Sequence, residues 1–297
     1  MSKNYYIGVD IGGTKINAGL VFGNSVQKRI KILTESHKGK QRVLKNLARA
    51  VMEVWQDNVK GIGIGCAGEI DRKAGKVITS PNFHRQFENV NIKKFLERKF
   101  KRPVSVENDA NCFTLAESKL GSGRGAKYVV GLTLGTGIGS GMVFEGKIFH
   151  GQSGAAGEWG HTAIVDNGLN CSCGKTGHLE TYSSGKAMIK LYKTITGEEK
   201  DTFYIEKMAI KKQKAALQVF KIMSDALAVG LANIINALNP TVIVIGGGLA
   251  RVELLWQPAT KKARRLTVFP DLAKTRIVRS ALGDDAQIIG ATLLIKK

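Results

Sequence analysis

Tyr5-Tyr6-Ile7-Gly8-Val9-Asp10-Ile11-Gly12-Gly13-Thr14-Lys15 opens the chain with an apolar strand that runs straight into a glycine turn. Residues 16–21 and 26–33 continue it as an antiparallel meander. Far downstream the arrangement restarts. Residues 128–134 read as a strand, Gly135-Thr136-Gly137-Ile138-Gly139 as its turn, and 141–144 with 147–150 as a hairpin about Glu145-Gly146. Strand, glycine turn and hairpin therefore occur twice, which reads as a structural duplication although the two stretches match only weakly as sequences. Two α/β halves facing one another across a cleft are expected, and clefts between halves are where ligands sit.

The stretches between these landmarks fit that scheme. Val43, Leu44, Leu47, Val51, Val54 and Trp55 recur at helical spacing, 61–65 reads as a short buried strand, and 91–100 as a helix stopped before Pro103. A strand over 104–107 and a helix over about 110–119 follow. Residues 217–238 read as a long helix, 241–245 as a strand, and Gly246-Gly247-Gly248 as a third glycine loop. The uncharged run 226–250 contains Asn233, Asn236, Asn239, Pro240 and that glycine triplet, which suit a helix, turn and strand and suit hydrocarbon badly.

Composition narrows the function classes. The 297 residues can hold two domains, and 43% hydrophobic content is enough for a real core. A formal net charge of +21 invites a nucleic-acid or membrane reading. Its local concentrations, 93–102 and 207–214, interleave with apolar residues at helical spacing (Ile92, Phe95, Leu96; Met208, Ala215, Leu217), so they read as wet faces of amphipathic helices. No specific nucleic-acid partner and no membrane are expected. Cys66 and Cys112 stand alone, Cys171 and Cys173 are close together, and no signal peptide precedes the first strand. A reducing, cytoplasmic setting fits better than a disulfide framework.

Three glycine loops, each ending an apolar strand, are the first functional signal. Glycine lets backbone approach a phosphate and presents N–H donors that a Cβ would crowd. Gly12 and Gly13, with the hydroxyl of Thr14 and the cation of Lys15, suit a phosphate; the spacing is not that of a Walker loop. Asp10, ending its strand, suits magnesium. Gly135, Thr136 and Gly137 repeat the chemistry, and Gly246, Gly247 and Gly248 add a flat surface wide enough for an adenosine. Each loop taken singly also reads as a tight turn.

Glu107-Asn108-Asp109-Ala110-Asn111 sits at a strand-to-helix junction. Asn108 or Asp109 would cap the helix. Asp109 would equally serve as a general base that takes the proton of an attacking hydroxyl in phosphoryl transfer.

Gly157-Glu158-Trp159-Gly160-His161 precedes Cys171-Ser172-Cys173-Gly174-Lys175-Thr176-Gly177-His178-Leu179-Glu180. His161, Cys171, Cys173 and His178 supply two imidazoles and two thiolates, a closed tetrahedral zinc set that argues for a structural site. Paired free thiols and a hydrogen-bonding histidine are the alternative. Zinc would fix the neighbouring Glu158 and Glu180, and rigid carboxylates are what a sugar pocket needs, since each accepts hydrogen bonds from hydroxyls.

Residues 10–15, 65–68, 107–111, 134–139, 157–161 and 171–180 occur in the order seen in the ROK sugar kinases (repressor, open reading frame, kinase), and the chain resembles that family from about Tyr5 to Leu294. The ending Gly283-Asp284-Asp285-Ala286 with a last apolar helix resembles it too. The resemblance implies an α/β, actin-like ATPase (ribonuclease H-like) fold. An N-terminal α/β domain, 1–112, would be completed by a returning helix at 284–297, beside a C-terminal domain, 113–283, with a zinc loop at 157–180. It implies ATP, magnesium and structural zinc, Asp109 acting on a sugar 6-hydroxyl, and sugar contacts from Asn82, Asn108, Glu158, His161 and Glu180. Many members are dimers, so a homodimer is expected.

Two positions depart from the family pattern. His178 stands where the usual zinc motif has a third cysteine, and a glycine-proline-glycine turn reads Gly65-Cys66-Ala67-Gly68. Glucose is the first expected substrate, with N-acetylmannosamine, N-acetylglucosamine, fructose and mannose open, and with other nucleotides or polyphosphate open as donors. A sugar-responsive regulator is the reading from another class. Only nine residues precede Asp10, too few for a helix-turn-helix module. A non-sugar kinase or filament former on the same fold would not need the Glu158–Glu180 block.

Overall fold

The computed structural model describes residues 4–80, 83 and 87–296, so Asn82 lies outside the described residues. In chain order, β1 (Tyr5–Ile11), β2 (Lys15–Phe22) and β3 (Ser25–Leu33) form the opening meander. Next come α1 (Lys40–Glu53), β4 (Val59–Cys66), a small sheet of β5 (Glu69–Asp71), β6 (Lys76–Thr79) and β7 (Val90–Asn91), then α2 (Ile92–Phe100), β8 (Val104–Asn108) and α3 (Asp109–Leu120). The second pass holds β9 (Tyr128–Leu134), β10 (Ile138–Phe144), β11 (Lys147–Ile148), α4 (Glu180–Ser183), α5 (Gly185–Thr196), α6 (Thr202–Ile210), α7 (Lys214–Leu238), β12 (Val242–Gly246), α8 (Glu253–Arg265) and β13 (Arg276–Arg279). It ends on α9 (Ala286–Leu293).

The chain divides into two compact units. The first takes Met1–Gly125, Gly141–Ala156 and Ala281–Lys297; the second takes Ala126–Ser140 and Gly157–Ser280. Residue 112, where the sequence placed a boundary, lies inside α3, and that helix stays whole with the first unit.

The first unit's sheet runs β3-β2-β1-β4-β8, with β1, β2 and β3 antiparallel and β4 and β8 parallel to β1. Ile7, Val9, Ile11, Ile62 and Ile64 are buried, as are Val43, Leu47 and Val51 on α1 and Ile92 and Leu96 on α2. The continuously buried runs are what parallel strands covered on both faces require. α9 packs on β1, β4 and α3. A Cβ at Gly8 would collide with the carbonyl of Ile288, and one at Gly63 with that of Ala291, so only glycine lets the helix lie directly on the strands. Register then sets function: Asp10 pairs with Gly65 and Gly65 with Glu107, while Ile11 pairs with Cys66 and Cys66 with Asn108. The ends of three adjacent strands are level.

The second sheet runs β11-β10-β9-β12-β13, with β12 parallel to both β9 and β13 and with β10 and β11 antiparallel. Hairpin strands on one side and two later parallel strands on the other repeat the first sheet's order. The duplication read from two glycine turns is therefore a duplication of topology.

α7 is long and apolar enough to cross a membrane, and its apolar side (Phe220, Met223, Leu227, Leu231, Ile235) is buried against α4, α5, α6 and α8. Asn239, in a left-handed conformation, closes it before β12. The basic cluster at 93–102 lies on α2 with Ile92, Leu96 and Phe100 buried, as its spacing implies. The cluster at 207–214 instead spans two helices. α6 stops at Ile210 and α7 starts at Lys214, so Leu217 is exposed and Ala209 and Ala216 are the buried residues.

Candidate active site and metal centre

In the first unit the site is built on strand ends. Asp10 sits one residue before the end of β1, and its Oδ2 accepts a hydrogen bond from Asn17 Nδ2 at 3.1 Å. Burial, then the charge of Asp109, pushes its carboxyl up to about 7, against the opposing pull of Asn17 and Lys31. The turn that follows is held from outside. Thr34 Oγ1 donates to Gly12 O at 2.7 Å and Ser36 Oγ to Gly13 O at 2.9 Å, while the Gly12 N–H donates to Lys15 O at 3.0 Å. The Gly12 amide is thus spent inside the turn, whereas Thr14 and Lys15 are exposed.

The β8–α3 junction separates the two roles that the sequence left open. Asn108 is the N-cap: its Oδ1 accepts from Ala110 N at 2.9 Å and Asn111 N at 3.2 Å, and its Nδ2 donates to Gly68 O at 3.2 Å. Asp109 is the first helical residue, with Oδ1 also within 2.9 Å of Ala110 N. Burial raises its proton affinity above the ordinary carboxylate range, and the Ala110 N–H holds it back in part. Cys66 and Cys112 are buried beside these acids, and burial and the carboxylates raise both thiols. The departure Cys66-Ala67 is met by a turn in which Gly68 adopts a positive φ of 110°, with its carbonyl tied to Asn108.

The second unit carries the other candidates. Gly135 and Thr136 rest on the start of α5, where the N–H groups of Gly185 and Lys186 donate to their carbonyls at 2.8 and 3.2 Å. Gly247, at φ 82°, packs where a Cβ would strike the backbone of Leu134, so two of the three glycine loops are adjacent. The third, Gly12–Gly13, belongs to the first unit.

Both candidate sugar carboxylates are set by the start of β10. The Ile138 N–H donates to Glu180 Oε2 at 2.8 Å, and a Cβ at Gly137 would collide with the same carboxylate. Ser140 Oγ, buried, donates to Gly157 O and accepts from Trp159 N at 3.0 Å, so it grips the chain on both sides of Glu158. Glu158 itself is exposed.

His161, Cys171, Cys173 and His178 offer four ligand atoms within 4.8 Å of one another. Cys171 Sγ lies 3.6 Å from His161 Nδ1 and Cys173 Sγ lies 3.3 Å from His178 Nδ1. Two nitrogens and two sulfurs at this closeness fit tetrahedral zinc with no open position. Burial and the neighbouring His161 lower the proton affinity of His178, which favours the neutral imidazole a metal needs. Backbone bonds shape the loop: Cys171 N to Lys175 O at 2.8 Å, Gly174 N to Cys171 O at 3.0 Å and Leu179 N to Thr162 O at 3.0 Å. The histidine in place of the family's cysteine therefore reaches the cluster.

Ser140, Glu107 and His150 were not singled out by the sequence. Glu107 Oε2 lies 2.8 Å from His150 Nε2, a residue 43 positions later, and Ser140 acts 17 and 19 positions away. No local spacing signals such partnerships.

A sequence model of a family described as the ROK family matches residues 6–297. A glucokinase from Thermotoga maritima is 35% identical, over 100% of this chain and 99% of its own length. An N-acetyl-D-glucosamine kinase from Photobacterium profundum is 36% identical over 98% of this chain and 100% of its own. A solved ROK family glucokinase from Streptomyces griseus, in complex with glucose and AMPPNP, superposes with a TM-score of 0.88 at 30% identity, covering 98% of each chain.

Proposed function

The chain belongs to the ROK family of sugar kinases, and on that premise we propose that it transfers the γ-phosphoryl group of ATP to the 6-hydroxyl of a hexose, glucose first. Its fold is the actin-like α/β fold with two mixed sheets. The observation that carries the reading is the placement of the half-buried Asp109 carboxyl at the β8–α3 junction, where Asn108 supplies the N-cap and Asp10 is close enough for the two charges to interact.

Asp109 takes the hydroxyl proton as the sugar oxygen attacks the γ-phosphorus. The new P–O bond forms, the bond from phosphorus to the bridging oxygen breaks, and ADP leaves. Asp10 would hold magnesium, which supplies charge neutralisation on the phosphates. Gly12, Gly13, Thr14 and Lys15 face the phosphates; Gly135, Thr136, Gly137, Gly246, Gly247 and Gly248 face the nucleotide. Asn108, Glu158, His161 and Glu180 bind sugar hydroxyls, and Asn82 keeps that role from the family pattern. Glu180 spends one oxygen on the Ile138 N–H, which leaves the other for the sugar. His161, Cys171, Cys173 and His178 would hold a zinc ion, which supplies rigidity to the loop between the two sugar carboxylates. A homodimer in the cytoplasm completes the proposal.

The relative from Photobacterium, as similar as the glucokinases, favours N-acetylglucosamine as the second substrate to try. The test is ADP release with magnesium–ATP across hexoses and N-acetylhexosamines. Turnover with glucose above all others bears the proposal out. Preference for an N-acetylhexosamine moves the substrate and keeps the mechanism. Silence across the panel by folded, zinc-loaded protein rejects ATP as donor and hexose as acceptor together.

A further inference from the structure

His150 stands just past β11, at the head of a loop closed by a backbone hydrogen bond from Ala156 N to His150 O at 3.2 Å. Its Nε2 lies 2.8 Å from Oε2 of Glu107, which is 4% exposed. The other oxygen of that carboxylate, Oε1, accepts from the Asn108 N–H at 2.9 Å and from Asn111 Nδ2 at 3.1 Å. All four residues belong to the first unit. With a carboxylate opposite, Nε2 is the ring atom that donates.

A carboxylate this enclosed is tolerable only with its oxygens satisfied; with one partner gone it must take a proton, rotate or admit water. Each of those responses disturbs the same atoms. Glu107 immediately precedes Asn108, and its Oε1 holds both the peptide N–H leading into Asp109 and the first turn of α3. The chain of contacts therefore runs from an imidazole through a buried carboxylate to the peptide that aims the base.

We propose that His150 is a positioning residue for Asp109. By donating to Glu107 it fixes the carboxylate that fixes the 107–109 backbone, an inference that rests on the kinase reading of Asp109. Its contacts lead to the β8–α3 junction, where Asp109 is the single base and Asn108 only one of several sugar contacts, so the larger effect falls on turnover and the smaller on sugar affinity. Misplacing a reacting group by about 1 Å can cost on the order of 100-fold in rate.

The test compares His150→Ala, His150→Gln, whose amide can still donate to Glu107, and Glu107→Gln, all in the full-length zinc-loaded protein. With the sugar that the parent turns over, His150→Ala should lose about 10-fold or more in kcat while KM for the sugar stays within about 3-fold. His150→Gln should recover most of the loss, and the double variant His150→Ala/Glu107→Gln should fall well short of the product of the single losses. A kcat for His150→Ala within about 2-fold of the parent overturns the proposal, and so does a loss confined to KM. A His150→Gln variant no better than His150→Ala overturns it as well.

Should His150→Ala not fold, His150→Asn, one methylene shorter than the glutamine, replaces it. A parent inactive on every sugar would reject the kinase reading instead, and the positioning claim is then decided without activity. The 13C carboxyl resonance of Asp109, followed against pH, should shift its midpoint in His150→Ala and return in His150→Gln. An Asp109 titration identical in all three proteins overturns it.

Discussion

Asp109 and Glu158 are both carboxylates proposed to act on the sugar, and they are held by opposite means. Asp109 stands where β8 passes into α3, on a sheet whose Ile and Val side chains form a buried core, and its neighbour Asn108 is bound to Gly68, Ala110 and Asn111. Glu158 stands in a stretch between β10 and α4 that has few buried apolar residues, and it is gripped by Ser140 and by a four-ligand cluster whose nearest member is His161. The first arrangement draws its rigidity from hydrophobic burial, the second from hydrogen bonds and, on the proposed reading, from the zinc that the His/Cys cluster would hold. A reacting group can thus sit on a core, while a recognition loop that must present polar groups to a sugar cannot be built from core residues and needs another anchor.

That contrast can be broken at several points. The largest effect is expected for Asp109→Asn: turnover should drop by roughly 10²–10⁴-fold with sugar binding and melting temperature kept, checked by steady-state kinetics and calorimetry. Turnover near the parent's would remove Asp109 from the base role.

Next comes the metal. Freshly purified protein should carry about one zinc per chain, a closed four-ligand site holding a single ion. His178→Ala or prolonged chelation should weaken sugar binding by about 10–100-fold while the far-ultraviolet spectrum of the core persists. Zinc-free protein that binds sugar normally would mean that hydrogen bonds alone hold the loop.

Ser140→Ala sharpens the comparison within the second unit. It deletes two hydrogen bonds, each worth roughly 1 kcal/mol net, so the sugar KM should rise by up to about 30-fold with kcat little changed.

The smallest effect is on stability. Burial, above all, pushes the Asp10 carboxyl up to about 7 in the folded protein, against 3.8 for a free aspartate side chain. Stability from its protonated form is complete below about 4 and is lost as pH rises through about 7. Asp10→Asn should therefore melt at least about 2 °C higher than the parent at pH 8 in magnesium-free buffer, with no gain at pH 4. Equal gains at both pH values would show that burial of the charge is not the cause.

Much of this was legible in advance, for reasons visible in particular residues. The strand over 128–134 emerged with the bounds its apolar run implies, and the opening meander and the long helix before Asn239 emerged within a few residues. Apolar periodicity is a local property and survives folding. The His/Cys cluster was legible because its four residues lie within eighteen positions of one another. The helix expected across 207–214 was not found, since a run of lysines marks a wet surface without marking where a helix ends. Short elements such as β5, β7 and α4 left no readable pattern, because two to four residues carry too little periodicity.

The sequence by itself determined the duplicated α/β plan, the glycine turns at strand ends, the Asp109 junction and the His/Cys cluster, because each depends on residues that are neighbours along the chain. Only the tertiary structure decided which of Asn108 and Asp109 caps α3, that Ser140 grips both sides of Glu158, that Ile138 claims one oxygen of Glu180, and that His150 meets Glu107. Those choices depend on which groups strand register and helix packing bring within hydrogen-bonding distance across many positions, and a buried polar atom takes the partner that the fold places beside it.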